Sequence, residues 1–311
     1  MKTQIPWLFE VPFPSIMDRF THSYTNLEYD HDWLFEAPTA LPVIPPLLFV
    51  EPLPIGLTLY VKIPLGGESP AQPMTGIYIP TNYQRQDRVD LILYLHGHHR
   101  SNPVKGKRPT HGYWPTTMSI NQHWNKGFYP YYAFREGVNA SGKNVILVAP
   151  TLGPKSQTVS LVKPGGLDAY LNQVMVSLNN YGPYKGMQQP PTLGNLILAC
   201  HSGGGLPMRQ LALSKNNYSP HIKQCWGFDC TYFDRDDTEW ARWAKMNPTS
   251  RLYIYYATEK PTYWATRLQA QARTMRLSNV LVEKSPTQNH FKVPLSHWES
   301  RIKATPFLYN R

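Results

Sequence analysis

Ser202 stands where an apolar run, Leu196-Ile197-Leu198-Ala199-Cys200, reaches His201 and then three glycines, Gly203 to Gly205. A buried strand that ends in a tight turn reads this way. Such a turn exposes the hydroxyl, keeps bulk away from it and frees backbone N–H groups beside it. Attack on a carbonyl needs all three. These residue types therefore predict a nucleophilic serine in a hydrolase. A phosphate cradle is the competing reading, but the segment lacks the glycine spacing and the closing Lys-Ser/Thr of a P-loop. A second set, His96, His98 and His99, with His201 at the end of another apolar run, offers metal chemistry, since zinc hydrolases gather histidines. No acidic residue follows that set closely, and adjacent side chains diverge along a strand. Neither a metal nor a cofactor is expected.

The elements that must hold these residues are short apolar runs bounded by turn residues. Leu57–Val61 and Thr75–Ile79 read as antiparallel strands. Val89–Leu95, Asn144–Ala149, Leu196–Cys200, Gln224–Phe228, Arg251–Ala257 and Val280–Val282 are short apolar runs, several of them nearly continuous in Val, Ile and Leu, as buried parallel strands are. Helical patterns fall between them at Leu167–Leu178, Leu206–Leu213, Glu239–Met246 and Thr262–Met275, with Pro207 tolerated in a first turn. Alternating strands and helices predict an α/β fold, a mostly parallel central sheet with helices on both faces. Ligands in such sheets bind at the carboxyl ends of the strands. Residues 1–56 differ: rich in proline, locally acidic (Glu28, Asp30, Asp32, Glu36) and without helical period. They predict an irregular arm packed on a body spanning 57–311.

The chain has 311 residues and a formal net charge of +11, yet its densest basic knot is only Lys105-Gly106-Lys107-Arg108. Without a long basic run or a nucleic-acid motif, no nucleic-acid partner is expected. The three cysteines, Cys200, Cys225 and Cys230, fall at or near buried strands and do not form a disulfide framework. Pro6 and Glu10 interrupt the first apolar stretch, and Pro45, Pro46 and Glu51 break the next. The reading is a chain with no membrane span and a cytoplasmic location.

The pattern Cys200-His201-Ser202-Gly203-Gly204, small–X–Ser–X–small, resembles the nucleophile elbow of the α/β-hydrolase superfamily, G-x-S-x-G, with Cys200 in place of the first glycine. Leu91-Ile92-Leu93-Tyr94-Leu95-His96-Gly97-His98 is similar to the strand and His-Gly turn that shape the superfamily's oxyanion hole. The resemblance covers about residues 57–311. It implies that the backbone N–H of Gly203 and one close to Gly97, with His98 favoured, receive the developing negative charge. It also implies a base histidine after the last strand. His290, in Ser285-Pro286-Thr287-Gln288-Asn289-His290-Phe291, stands there; His297 is the fallback, and His221 precedes its strand at the wrong end of the sheet.

Two positions compete for the acid. Many members carry an aspartate where this chain has Lys260, next to Glu259; others carry the acid one strand earlier, where Asp229 stands, with Asp234 in the same loop. An aspartate abutting Phe228 at a strand end is partly buried and needs a partner, which an imidazolium supplies. Asp229 is preferred and Glu259 is the alternative. Asp168 and Arg209 read as structural charges on helices.

The resemblance implies an acyl-enzyme on Ser202, with a small or medium organic carboxylic ester as the first substrate class. Peptidase, amidase and thioesterase chemistry use the same residues. A binding protein that keeps the fold without catalysis is the remaining alternative, and the intact Ser, His and acid set opposes it. The aromatic stretch Tyr113, Trp114, Trp124, Phe128, Tyr129, Tyr131 and Tyr132 offers one wall of a substrate pocket, with Trp114 foremost; Tyr232, Phe233 and Trp264 offer the other. Oligomeric state is not written in these residues.

Overall fold

The computed structural model describes residues 43–65, 74–98, 120–124, 133–153, 156, 158 and 160–311. Trp114, His99, the Lys105–Arg108 knot and the arm as far as residue 42 lie outside them.

Among the described residues nine strands form one sheet: β1 Leu47–Leu53, β2 Gly56–Val61, β3 Thr75–Pro80, β4 Arg88–Leu95, β5 Ile146–Pro150, β6 Thr192–His201, β7 Ile222–Phe228, β8 Arg251–Tyr256 and β9 Val280–Lys284. Their order across the sheet is β1-β2-β3-β5-β4-β6-β7-β8-β9. β1, β2 and β3 pair antiparallel, and β3 meets β5 antiparallel. From β5 to β9 every pairing is parallel. The α/β architecture expected from the sequence is the one observed.

Helices α1 Ile120–His123 and α2 Phe134–Ala140 precede β5, α3 Gly166–Tyr181 precedes β6, and α4 Gly205–Leu213 follows it. α5 Asp236–Met246, α6 Glu259–Thr274 and α7 Val293–Lys303 follow β7, β8 and β9 in turn. Two apolar cores form because strand side chains alternate between faces. Leu91, Leu93 and Leu95 of β4 and Leu196, Leu198 and Cys200 of β6 join one core with α3, α4, α5 and α6. Ile92, Tyr94, Ile197 and Ala199, on the opposite face of the same strands, join the other with Phe134, Val138, Trp298 and Ile302 of α2 and α7. Covered on both sides, these strands need apolar residues at every position, which explains their unbroken Val, Ile and Leu runs.

The sheet starts at Leu47, ahead of the Leu57 boundary read from the sequence. Pro45, Pro46, Pro52 and Pro54 mask the strand. β1 lies at the sheet edge, where a missing N–H is tolerated, and a register shift between Leu47 and Phe49 relaxes its pairing with β2. α2 was also hidden, because its seven residues lie beside a long aromatic stretch without clear helical period.

Candidate active site

Parallel pairing brings the carboxyl ends of β4, β6, β7 and β8 to one edge of the sheet. The register sets Leu95 opposite Cys200, His201 opposite Phe228, and Phe228 opposite Tyr255. The residues that follow are therefore neighbours: Gly97, Ser202, Asp229 and Thr258.

Ser202 has φ +54°, a left-handed conformation that is rare outside glycine and costs roughly 1–3 kcal/mol. The strain holds the turn between β6 and α4 sharp. Space around the turn is as tight as the sequence implied. A Cβ at Gly204 would lie 2.3 Å from the Leu95 carbonyl oxygen, and one at Gly205 would lie 2.2 Å from that of Cys230. The glycines let β6 and α4 close onto β4 and onto the residue after Asp229. The His-Gly turn faces the serine directly. A Cβ at Gly97 would come 2.8 Å from Ser202 Cβ and 3.3 Å from its Oγ. The exposed His98 ring covers Gly203, where an added Cβ would sit 2.3 Å from Nε2. Gly97→Ala therefore pushes on the serine itself; it is expected to lower kcat about 100-fold while the circular dichroism spectrum is unchanged, and full activity in that variant would contradict this placement.

Asp229 also has a left-handed backbone, φ +46°, and is fully buried. Its Oδ1 accepts the N–H groups of Ala257 at 2.7 Å and Thr258 at 3.1 Å. Its Oδ2 accepts the Thr258 hydroxyl at 2.7 Å and His290 Nδ1–H at 2.6 Å. Burial alone would push the carboxyl up, but the hydrogen bonds from His290, Thr258 and the two backbone N–H groups outweigh it and hold the group below its ordinary value. It is thus a fixed negative charge aimed at one edge of an imidazole. His290 opens a short turn after β9 that Asn289 caps by accepting the Phe291 N–H at 3.0 Å. Among the described residues no hydrogen bond joins Ser202 Oγ to His290; such bonds commonly tighten only when substrate binds.

The other histidines have structural partners. His96 Nε2 accepts the Leu152 N–H at 2.8 Å, so Nδ1 carries the proton and donates to the Gly97 carbonyl, also at 2.8 Å. His201 donates from Nε2 to the His290 carbonyl at 3.0 Å, and their rings lie 4.4 Å apart. Burial, aided by the adjacent His290, pushes His201 down to about 3, so it supports the His290 turn as a neutral ring. His297, the fallback base, stacks on Tyr255 with centroids 3.8 Å apart and meets Ser285 Oγ at 3.1 Å. Burial pushes it down to about 4. His221 Nδ1 bonds the Gly194 carbonyl at 2.6 Å, at the opposite end of β7. Among the described residues no group of three His, Cys, Asp or Glu side chains could hold a metal ion.

Glu259 is exposed in the first turn of α6, and among the described residues nothing links it to His290. Its neighbour Thr258 reaches the site instead. Thr258 was not picked out from the sequence; its only signal is its place at the carboxyl end of β8, where a hydroxyl drew less attention than the acid beside it.

Tyr232 sits closer to the chemistry than a pocket wall. Its hydroxyl lies 3.4 Å from His290 Nδ1, and the two rings meet edge to face with centroids 6.2 Å apart. The loop that carries it is pinned by Asp236, which accepts the Phe233 N–H at 3.0 Å and pairs with Arg209 of α4 at 2.6 Å. Arg209 also donates to the Asp234 carbonyl, and Asp234 is exposed. Asp168 accepts the N–H groups of Asn217 and Tyr218. Both charges are structural. Trp264 packs at 5.0 Å from Tyr263 with the Arg267 guanidinium 5.4 Å from its ring, and among the described residues no hydrogen bond or ring contact joins it to Ser202 or His290.

No protein-family model and no curated protein sequence matches the chain. Solved structures do. A mutant of the feruloyl esterase module from Clostridium thermocellum, complexed with sinapinate, matches with TM-score 0.50 and 12% identity over 84% of this chain and 93% of that one. The fold is that of the α/β-hydrolases. An S-formylglutathione hydrolase from Agrobacterium tumefaciens is similar too, with TM-score 0.49 and 11% identity over 83% of this chain and 97% of that one. Within the α/β-hydrolase fold observed here, the His-Gly turn, the serine turn, Asp229 and the His290 turn follow one another along the chain and meet at one sheet edge. No helix among the described residues is long and apolar enough to cross a membrane.

Proposed function

We propose that this protein is a serine hydrolase that cleaves a carboxylic ester of small or medium size through an acyl-enzyme on Ser202. The observation that carries the reading is the 2.6 Å bond from His290 Nδ1 to the buried Asp229 carboxylate, beside a serine held at φ +54°. Because Nδ1 keeps its proton and donates it in a hydrogen bond to Asp229, Nε2 is the lone-pair nitrogen and takes the Ser202 proton as Oγ attacks the ester carbon. The Asp229 charge stabilises the imidazolium that results. The N–H of Gly203 and one near Gly97 or His98 bind the oxyanion. The imidazolium then protonates the departing alkoxide. Water, deprotonated by the same nitrogen, releases the acid and restores Ser202.

The likeness in fold to a feruloyl esterase module supports an ester as the substrate class. The test is turnover of p-nitrophenyl butyrate by the purified protein in the presence of a chelator. Steady release of nitrophenol that depends on Ser202 is expected, and a chelator-sensitive or Ser202-independent rate would overturn the reading.

A further inference from the structure

Phe291 follows the base directly, and Leu295 stands four residues on, where the His290 turn runs into the first turn of α7. That spacing sets both on one side of the helical path. Val293 and Pro294, between them, are buried and anchor the turn. Phe291 is 49% exposed and Leu295 48%. A single exposed apolar side chain needs no explanation, but two together on the turn that carries a base mark a surface for an apolar ligand. Among the described residues three rings meet that of His290. His201, at 4.4 Å, is buried; Tyr232, edge to face at 6.2 Å, is half-buried. Phe291, at 5.2 Å and 69°, is the exposed one.

The chemistry gives that surface to one half of an ester. His290 Nδ1 is committed to Asp229 at 2.6 Å, so Nε2 must both take the Ser202 proton and hand it to the departing alkoxide. The alkoxide oxygen therefore lies within hydrogen-bond reach of Nε2, and the rest of the alcohol extends past the imidazole. The acyl group stays on Ser202, on the other side of the breaking bond. From this arrangement, and resting on the reading of Ser202 as the nucleophile, we propose that Phe291 and Leu295 bind the alcohol moiety and make the protein selective for esters of apolar alcohols, aromatic ones above all. In acylation the bond between the acyl carbon and the alkoxide oxygen breaks, its electron pair goes to that oxygen, and the His290 proton completes the alcohol. The alcohol then leaves across Phe291, and water takes its place beside Nε2. Acetates of different alcohols pass through the same acetyl-enzyme, so the patch acts on kcat/KM and not on release of the acid.

Benzyl acetate and methyl acetate share their acyl group, and their alcohols are of nearly equal acidity. The ratio of their kcat/KM values therefore reads contact with the alcohol moiety. It should favour benzyl acetate, fall about tenfold in Phe291→Ala and fall about threefold in Leu295→Ala, whose site lies one turn further from His290. The ratio of p-nitrophenyl butyrate to p-nitrophenyl acetate, which varies the acyl group alone, should change by less than about twofold in both variants. A wild-type preference for methyl acetate, a benzyl-to-methyl ratio unaltered in both variants, or a fall in the acyl ratio instead would each overturn the inference. So would equal losses on all these esters, because Phe291 would then only support the His290 ring. Turnover of benzyl acetate that survives Ser202→Ala would instead overturn the nucleophile reading beneath it.

Discussion

Ser202→Ala is expected to lower kcat for p-nitrophenyl butyrate by about 10⁶-fold, to the background rate. The loss is this large because the residues of such a site act as a unit. Without Oγ there is nothing for His290 to deprotonate, and no acyl-enzyme to divide a hard step into two easier ones. The fold should survive. The strain at φ +54° belongs to the backbone, and alanine keeps the Cβ that already fits there. Unchanged circular dichroism and thermal midpoint would show this, and a variant that retained more than a trace of activity would dismiss Ser202 as the nucleophile.

Asp229→Asn is expected to cost about 10⁴-fold in kcat. The amide keeps the shape but presents either an N–H or a neutral oxygen to Nδ1. In the first case the imidazole must carry its proton on Nε2, and the lone pair faces away from Ser202. In the second the charge that stabilises the imidazolium is gone. Asp229 is held below the ordinary carboxylate value, so its ionised form contributes stability above that ordinary value. That contribution is lost as pH falls through the lowered folded value, and the variant should lose this acid-side dependence. Glu259→Gln, at an exposed position with no link to His290, should leave kcat within about twofold, as surface changes commonly do. If Glu259→Gln collapsed the rate and Asp229→Asn did not, the acid would be misassigned.

Most of this site is legible in residue types because the fold states it locally. The apolar run into Cys200, the serine and the glycines that follow describe a strand, a strained turn and close packing all at once. His96-Gly97 repeats the same signature on β4. The acid was ambiguous because two neighbouring strands end in carboxylates. Only the burial of Asp229 and its bonds to Ala257, Thr258 and His290 separate it from Glu259. Thr258 and the inward role of Tyr232 were hidden for a related reason: a hydroxyl gains meaning from what lies within hydrogen-bond reach, and that depends on which strand ends are adjacent. The histidines illustrate the opposite hazard. His96 and His201 sit at strand ends like ligands or bases, yet both ring nitrogens of His96 have backbone partners and His201 donates to the His290 carbonyl. At the edge, β1 escaped notice because its prolines are those of a strand with one side unpaired.

The account stands most directly on the identity of the nucleophile. Treatment of the purified protein with a fluorophosphonate, followed by peptide mass spectrometry, reads it in one step. The account predicts a single phosphonylated residue, Ser202, at a stoichiometry near one, with labelling suppressed by Asp229→Asn and retained by Glu259→Gln. A protein that stays unmodified, or that carries the phosphonyl group on another side chain, would contradict it.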